Sequence, residues 1–495
     1  MENVLSCAEM RAADRYTIAE RGVSSQLLME RAGRAIAEEA EALLNERGGR
    51  RVLAVCGGGN NGGDGWCAAR ILSLRGFDVA VWPLTDRCSP DCAAQRALYH
   101  GEIVGCISPE TDLIIDAGFG TGFHGEPEGV CADAVARING SGAAVVAADI
   151  PSGLNGEDGT CVAAVRADVT VAVGEVKRGH LLNDGPDHCG RLVRRDIGIE
   201  LPEPPSGVLL EGADIAPLFP PRRRNTHKGS YGEAAILAGS LSYSGAPLLS
   251  ASAALRCGCG YTRLAVPQEL FPPLVGRIPE AILTAFPSAE GALSAEEGAL
   301  RALCDAAGIA VGMGCGVSRG VYGCVRFLLE NYENTLILDA DALNSLAAYG
   351  TDVLRGHKCR LLLTPHPKEF SRLCGAPVAD VLRNGVELAF RFASEYNCTV
   401  LLKGCTSIIT DGKRICFNAE GTPALAKGGS GDVLSGIAAA VAARGADAFE
   451  TACAASFLLG RAGRLAEERV GCADSVIASD VVAALASAII SLKEE

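Results

Sequence analysis

One pattern recurs along the whole chain and restricts its fold more than any other feature. A short apolar run passes directly into glycines and polar side chains, and a helix-forming stretch follows. Arg51 to Cys56 leads into Gly57-Gly58-Gly59-Asn60-Asn61-Gly62-Gly63-Asp64-Gly65 and a helix expected from Trp66 to Arg75. Thr111 to Asp116 leads into Ala117-Gly118-Phe119-Gly120-Thr121-Gly122, and Ala143 to Asp149 into Ile150-Pro151-Ser152-Gly153. In the second half, Ala234 to Ala238, Ile309 to Gly316, Leu336 to Asn344, Leu361 to Pro367 and Val400 to Ser407 do the same. Short runs that are apolar on both faces read as strands of covered parallel sheets. Their polar ends then gather on the carboxyl-terminal edge, where open α/β sheets bind ligands. The fold class is α/β, with two helices before the first strand and Ser24 or Ser25 capping the second.

Length and composition set the scale. At 495 residues two or three domains are expected. The proline-rich stretch from Leu201 to Ser206, followed by Pro217 to Pro221, marks a break that divides the chain into 1–208 and 212–495. A formal net charge of −14 argues against nucleic acid or an anionic membrane as partner. The 21 cysteines contain no CxxC pair and sit mostly in apolar runs, so they read as small buried hydrophobes in a reducing cytosol. With no apolar signal core at the start and no run of membrane-spanning length, a cytoplasmic location is expected. Arg222-Arg223-Arg224 reads as a solvated face beside the break.

Three loops carry chemistry. Lys427-Gly428-Gly429-Ser430-Gly431-Asp432 precedes an alanine-rich helix, and glycine amides at a helix N-terminus cradle phosphate oxygens. A carboxylate is out of place beside phosphate unless it works on the reaction, so Asp432 reads as a base for an attacking hydroxyl. Gly57, Gly59 and Gly62 match a GxGxxG pattern, but Asp78 does not supply the acid of a standard dinucleotide site. Asn60, Asn61 and Asp64 are the more informative residues, fit to hold a hard monovalent cation or a sugar hydroxyl. Asp116 and Asp149 end two further strands, each at the edge where ligands bind. His366, in a proline-flanked turn, reads either as a plain surface residue or, at a strand end opposite the phosphate loop, as a ligand contact.

NNGGDG at 60–65, the Asp116 to Gly122 loop and Asp149-Ile-Pro-Ser-Gly-Leu154 resemble the YjeF N-terminal family of NAD(P)H-hydrate epimerases. That resemblance implies a Rossmann-like αβα domain for the first half. It also implies substrate contacts from Asn60, Asn61, Gly62, Gly63 and Asp64, and from Gly120, Thr121, Gly122, Phe123, His124, Gly125 and Glu126. Asp149 would contact the substrate and do acid/base work, Lys177 would close the site, and Asn61, Asp116 and Ser152 would hold K+. The chain departs from the family at Arg31, where asparagine is usual. HKGxYG at 227–232, Asp339-Ala-Asp341-Ala-Leu-Asn344, LTPHPKEF at 363–370, Lys403-Gly-Cys-Thr406 and GGSGDVLSG at 428–436 resemble the ribokinase-like NAD(P)H-hydrate dehydratases. This implies a second αβα domain with Lys403, Gly404, Cys405, Thr406, Ser407 and Gly431 on an adenine nucleotide. Ala246, Gly316, His366 and Asp432 would face the hydrate. Cys315 replaces the proline of the family's GPG turn.

Together the resemblances imply repair of hydrated NADH or NADPH. The first half would interconvert the R and S hydrates, and the second would dehydrate the S epimer with ADP, or ATP, and Mg2+. A homo-oligomer is expected. A small-molecule kinase with a fused binding module is the main rival reading, and a nucleotide-responsive scaffold a third.

Overall fold

The computed structural model describes residues 2–493. The chain forms two compact units, Glu2–Val208 and Leu209 onward.

In the first unit seven strands form one parallel sheet. Arg51–Cys56 lies between Asp78–Pro83, beyond which is Glu102–Ile103, and Leu113–Ala117. Ala144–Ala148, Val169–Val173 and Arg191–Arg195 then follow outward. The strand order therefore reverses between Arg51–Cys56 and Leu113–Ala117, which opens a crevice at their carboxyl ends. Alternate side chains face opposite layers. Val52, Ala54 and Cys56 join a core with Leu28, Ile36 and Leu44 of the helix Ser25–Arg47 and Trp66 and Leu72 of Asn60–Leu74. Leu53 and Val55 face Val135 and Ile138 of the helix Val130–Gly140. Asp78 begins its strand at the end away from the glycine loop, so it cannot serve as a ribose acid there.

The first two helices are Cys7–Ala19 and Ser25–Arg47. Ser6 and Glu9 cap the first reciprocally, and the Ser24 hydroxyl accepts from the Leu27 amide to cap the second. The helix expected from Trp66 begins at Asn60 instead, inside the glycine stretch. The reason is steric. A Cβ on Gly62 would stand 1.9 Å from the Gly57 carbonyl oxygen, so glycine lets the helix start immediately beyond the strand.

The second unit repeats the arrangement. Glu233–Leu237 sits between Tyr261–Pro267 and Gly308–Val311, with Ile282–Phe286 on the outer edge of the former. Thr335–Leu338, Arg360–Leu363 and Thr399–Leu402 continue in parallel, and Ser407–Thr410 and Ile415–Asn418 follow antiparallel. The helix Ser430–Ala443 is buried at every position from Val433 to Ala443, as a helix apolar on all sides must be. It crosses Gly245–Arg256 so closely that a Cβ on Gly436 would lie 2.1 Å from the Ser250 carbonyl oxygen.

Candidate functional site

The crevice of the first unit opens into a cavity of about 730 Å³. Asn60, Asn61 and Asp64 reach it from the start of their helix, Gly120 to His124 from the next loop, and Asp149, Val173 and Lys177 from strand ends. Phe119 and Phe123 stack at 4.6 Å between ring centroids on this loop. Asn60 Oδ1 accepts from Ser89 Oγ at 3.0 Å. Gly62 and Gly63 are buried in the first helical turn and do not line the cavity, nor do Gly125 and Glu126.

Asp116 is fully buried. Ser152 donates to it twice, from Oγ at 2.6 Å and from its amide at 2.7 Å. Burial pushes the Asp116 carboxyl up to about 6, against the opposing pull of those hydrogen bonds. Ser152 Oγ accepts from the Phe119 amide at 2.9 Å, and Asn61 Nδ2 donates to the Phe119 carbonyl at 2.7 Å. Phe119 thus ties all three oxygen-bearing residues together. Asn61 Oδ1 is buried with no hydrogen-bond partner. A desolvated carbonyl oxygen left unpaired is costly, and a hard cation would satisfy it.

Asp149 adopts φ 63, a left-handed backbone rare for aspartate. Its carboxylate pairs with Lys177, whose side chain is 1% exposed. Lys177 Nζ also donates to the Val173 carbonyl at 2.6 Å, so the ammonium is held from two sides. His180 bridges the same residues. Its Nδ1 accepts from the Lys177 amide at 3.1 Å, and its Nε2 lies 2.7 Å from the Asp149 carbonyl oxygen. Because an amide can only donate and a carbonyl only accept, the ring is the neutral Nε2–H tautomer. Burial and the Lys177 charge agree, holding its pKa down to about 4. Asp14 and Asp64 also line the cavity. Burial, then the negative charges of Asp149 and Asp14, push Asp64 well above the carboxylate range, and burial raises Asp14 as well.

In the second unit the expected residues sit on one rim. Asp432 falls in the first turn of Ser430–Ala443, a helix that begins within the glycine stretch expected to precede it. Beside it Asp339, 1% exposed, accepts from Lys403 Nζ at 2.8 Å and from Ser435 Oγ at 2.7 Å. Gly431 brings the helix start against this pair, since a Cβ there would lie 3.6 Å from Asp339 Oδ2 and 3.8 Å from Lys403 Nζ. Burial, then the Asp339 charge, raise Asp432 to about 6, with Lys403 opposing. Asp341 accepts from the Gly316 amide at 2.8 Å, and the 312–316 turn packs against Ala246. Ala340, between the two aspartates, has φ 48 and so turns both carboxylates off one strand end. Cys405 is exposed and Thr406 buried on the turn that precedes the strand Ser407–Thr410.

His366 caps a helix through Nδ1, a role its sequence did not announce. Nδ1 accepts from the Lys368 and Glu369 amides at 3.1 and 3.3 Å, at the start of the helix Pro367–Cys374. Its ring remains 46% exposed, and the preceding Pro365 carbonyl accepts from the Lys403 amide at 2.9 Å, which keeps the turn beside the rim.

Comparison with known proteins decides what these rims belong to. Residues 25–179 match the family model described as YjeF-related protein N-terminus, and residues 234–486 match the model for NAD(P)H-hydrate dehydratase. A bifunctional NAD(P)H-hydrate repair enzyme Nnr of Thermofilum pendens is 36% identical over 99% of this chain and 97% of its own. Its namesake in Moorella thermoacetica is 34% identical over the same shares. The chain belongs to the bifunctional NAD(P)H-hydrate repair enzymes. A ribokinase-like superfamily protein of Enterococcus faecalis V583 shares the fold of the second unit. Its TM-score is 0.51 at 22% identity, covering 59% of this chain and 99% of that one.

In this repair enzyme four residues at the rims carry no site role in the sequence motifs. Asp14 shares one helix face with Met10 and Ile18, a stripe indistinguishable in sequence from ordinary amphipathic packing. His180 is a single histidine in the short helix Arg178–Leu181. Asp339 stands visibly at a strand end, but its link to Ser435, 96 residues away, has no local signature.

Proposed function

We propose that the two rims perform successive steps of one repair, with the residue roles that follow. In the second unit Asp432 takes the proton from the hydroxyl of the hydrated dihydropyridine as that oxygen attacks the terminal phosphorus of the nucleotide. The phosphorus–oxygen bond to the nucleotide breaks, and AMP leaves if ADP is the donor. The hydrate now carries phosphate, a far better leaving group than hydroxide. The ring nitrogen lone pair expels it, and loss of a proton from the adjacent ring carbon restores NADH or NADPH. Amides of Gly428 to Gly431 and the helix dipole stabilise the transferring group, with Lys403 to Ser407 holding the nucleotide. Mg2+ would neutralise charge on the nucleotide's phosphates. It needs few protein ligands for that, and no group of three or more His, Cys, Asp or Glu among the described residues is placed to hold a metal.

Only one hydroxyl epimer aligns in such a site. In the first unit Asp149 takes the hydroxyl proton as the ring carbon–nitrogen bond opens to an aldehyde. Protonated Asp64 returns a proton to the nitrogen, and closure on the opposite face gives the other epimer. Asn61, Asp116 and Ser152 would hold K+, whose charge would face the substrate's phosphates, and the unpaired Asn61 Oδ1 supports that choice. The enzyme would work in the cytoplasm as a homo-oligomer.

The observation that carries this reading is the place of Asp432 in the first turn of a glycine-led helix whose start lies against the Asp339–Lys403 pair. A mixture of hydrate epimers with ADP or ATP tests it through recovery of NADH absorbance. Asp432→Asn should abolish recovery, and Asp149→Asn should leave only the S epimer convertible above spontaneous epimerisation. Accumulation of a phosphorylated hydrate in place of NADH would favour the kinase reading.

A further inference from the structure

We propose that His180 is a positioning residue of the epimerase: as a neutral bridge it holds the Asp149–Lys177 pair in the geometry that removes the hydroxyl proton. The inference rests on Asp149 being the base in the first unit.

Asp149 stands in a left-handed conformation with φ 63, and nothing intrinsic to aspartate keeps it there. Its amide donates to the Val171 carbonyl at 2.9 Å, which fixes one side of the residue. The His180 Nε2–H donates to its carbonyl at 2.7 Å and fixes the other. Between two anchored peptide groups, the carboxylate has its direction set toward Lys177. The same ring accepts from the Lys177 amide at 3.1 Å, so one imidazole fixes the backbone of both partners.

The ring is itself held. His180 is 2% exposed, on the short helix Arg178–Leu181, whose close approach to the chain leaves no slack. A Cβ on Gly179 would meet the Asn155 carbonyl oxygen at 2.2 Å, and one on Gly185 the Gly179 oxygen at 2.2 Å. The Gly179 amide donates to the Gly156 carbonyl at 2.9 Å. Imidazole suits the task because one ring offers a donor and an acceptor on opposite sides at fixed separation. His180 does not line the cavity, so it acts through Asp149 and not on the substrate.

The test compares three substitutions in the full chain, following R-to-S conversion by chromatography without nucleotide, so that the second unit is idle. His180→Phe keeps the ring volume and loses both hydrogen bonds. His180→Gln keeps a donor where Nε2 stands, and His180→Asn keeps an acceptor near Nδ1. Misplacing a catalytic group by about an ångström costs on the order of 10²-fold. The Phe variant should therefore lose kcat by roughly 10- to 100-fold with KM nearly unchanged. Gln should recover most of the loss and Asn little. Full kcat in the Phe variant would overturn the proposal. So would a raised KM at unchanged kcat, or equal losses in Phe and Gln that track a common fall in Tm. If the unsubstituted protein does not interconvert the epimers, or Asp149→Asn does so at full rate, the reading of the first unit fails, and His180 is not the cause.

Discussion

Asp432, the base proposed for the second unit, shows what such a carboxyl would cost the fold that carries it. Burial raises its pKa from 3.8 to about 6, so between those values the folded chain holds a proton that the unfolded chain releases. Stability from this group is therefore greatest below about pH 4 and declines as pH climbs through 6. Activity runs the other way, since a base must be ionised: the dehydratase rate should fall as pH drops through about 6. Asp432→Asn should abolish NADH recovery while raising Tm at pH 8 and leaving it nearly unchanged at pH 4, checked by thermal melts at both. A Tm that falls equally at both values would mean the carboxylate is a structural anchor. Removing a neighbouring charge should move the acid limb: Asp341→Asn should shift it to lower pH, because that carboxylate is one of the charges raising Asp432.

At the scale of elements, both reactive helices begin inside glycine stretches, and the glycines differ in what they tolerate. Gly62→Ala would place a methyl 1.9 Å from a backbone oxygen, whereas Gly59, at φ −90, has open space where its Cβ would lie. The former should cost about 1–3 kcal/mol or more and the latter much less, read from denaturant midpoints with unchanged slope. This is also where sequence reading met its limit. Strands such as Arg51–Cys56 and Thr399–Leu402 were legible because parallel burial demands unbroken apolar runs, and Ser24 was legible as a cap. Helix starts at Asn60 and Ser430 were not, since glycine signals a loop until the strand backbone beneath it is known. Of the candidate site, motifs pointed to Asp149 and Lys177, which line the cavity, and to Asp432 at a helix start. The Asp339–Lys403–Ser435 cluster and the His180 bridge arise from contacts between segments distant in sequence or too small to leave a pattern.

At the scale of the molecule, each unit carries parallel strands whose carboxyl ends form a rim. If, on the proposed reading, the hydrate leaves one rim and reaches the other through solvent, the two activities need not lie in one chain. An equimolar mixture of Asp149→Asn and Asp432→Asn proteins should restore conversion of the R epimer with ADP, where neither alone does so above the spontaneous rate. Failure of the mixture would require direct transfer within one chain. The buried helix Ser430–Ala443 has a different kind of consequence. Its amides from Val433 onward are sealed on every side, so deuterium can enter them only when the second unit opens as a whole. Their exchange rates should match global opening. The exposed Gly404–Cys405 turn, proposed to hold the nucleotide, should exchange faster than the helix and be the part that yields when a nucleotide comes and goes.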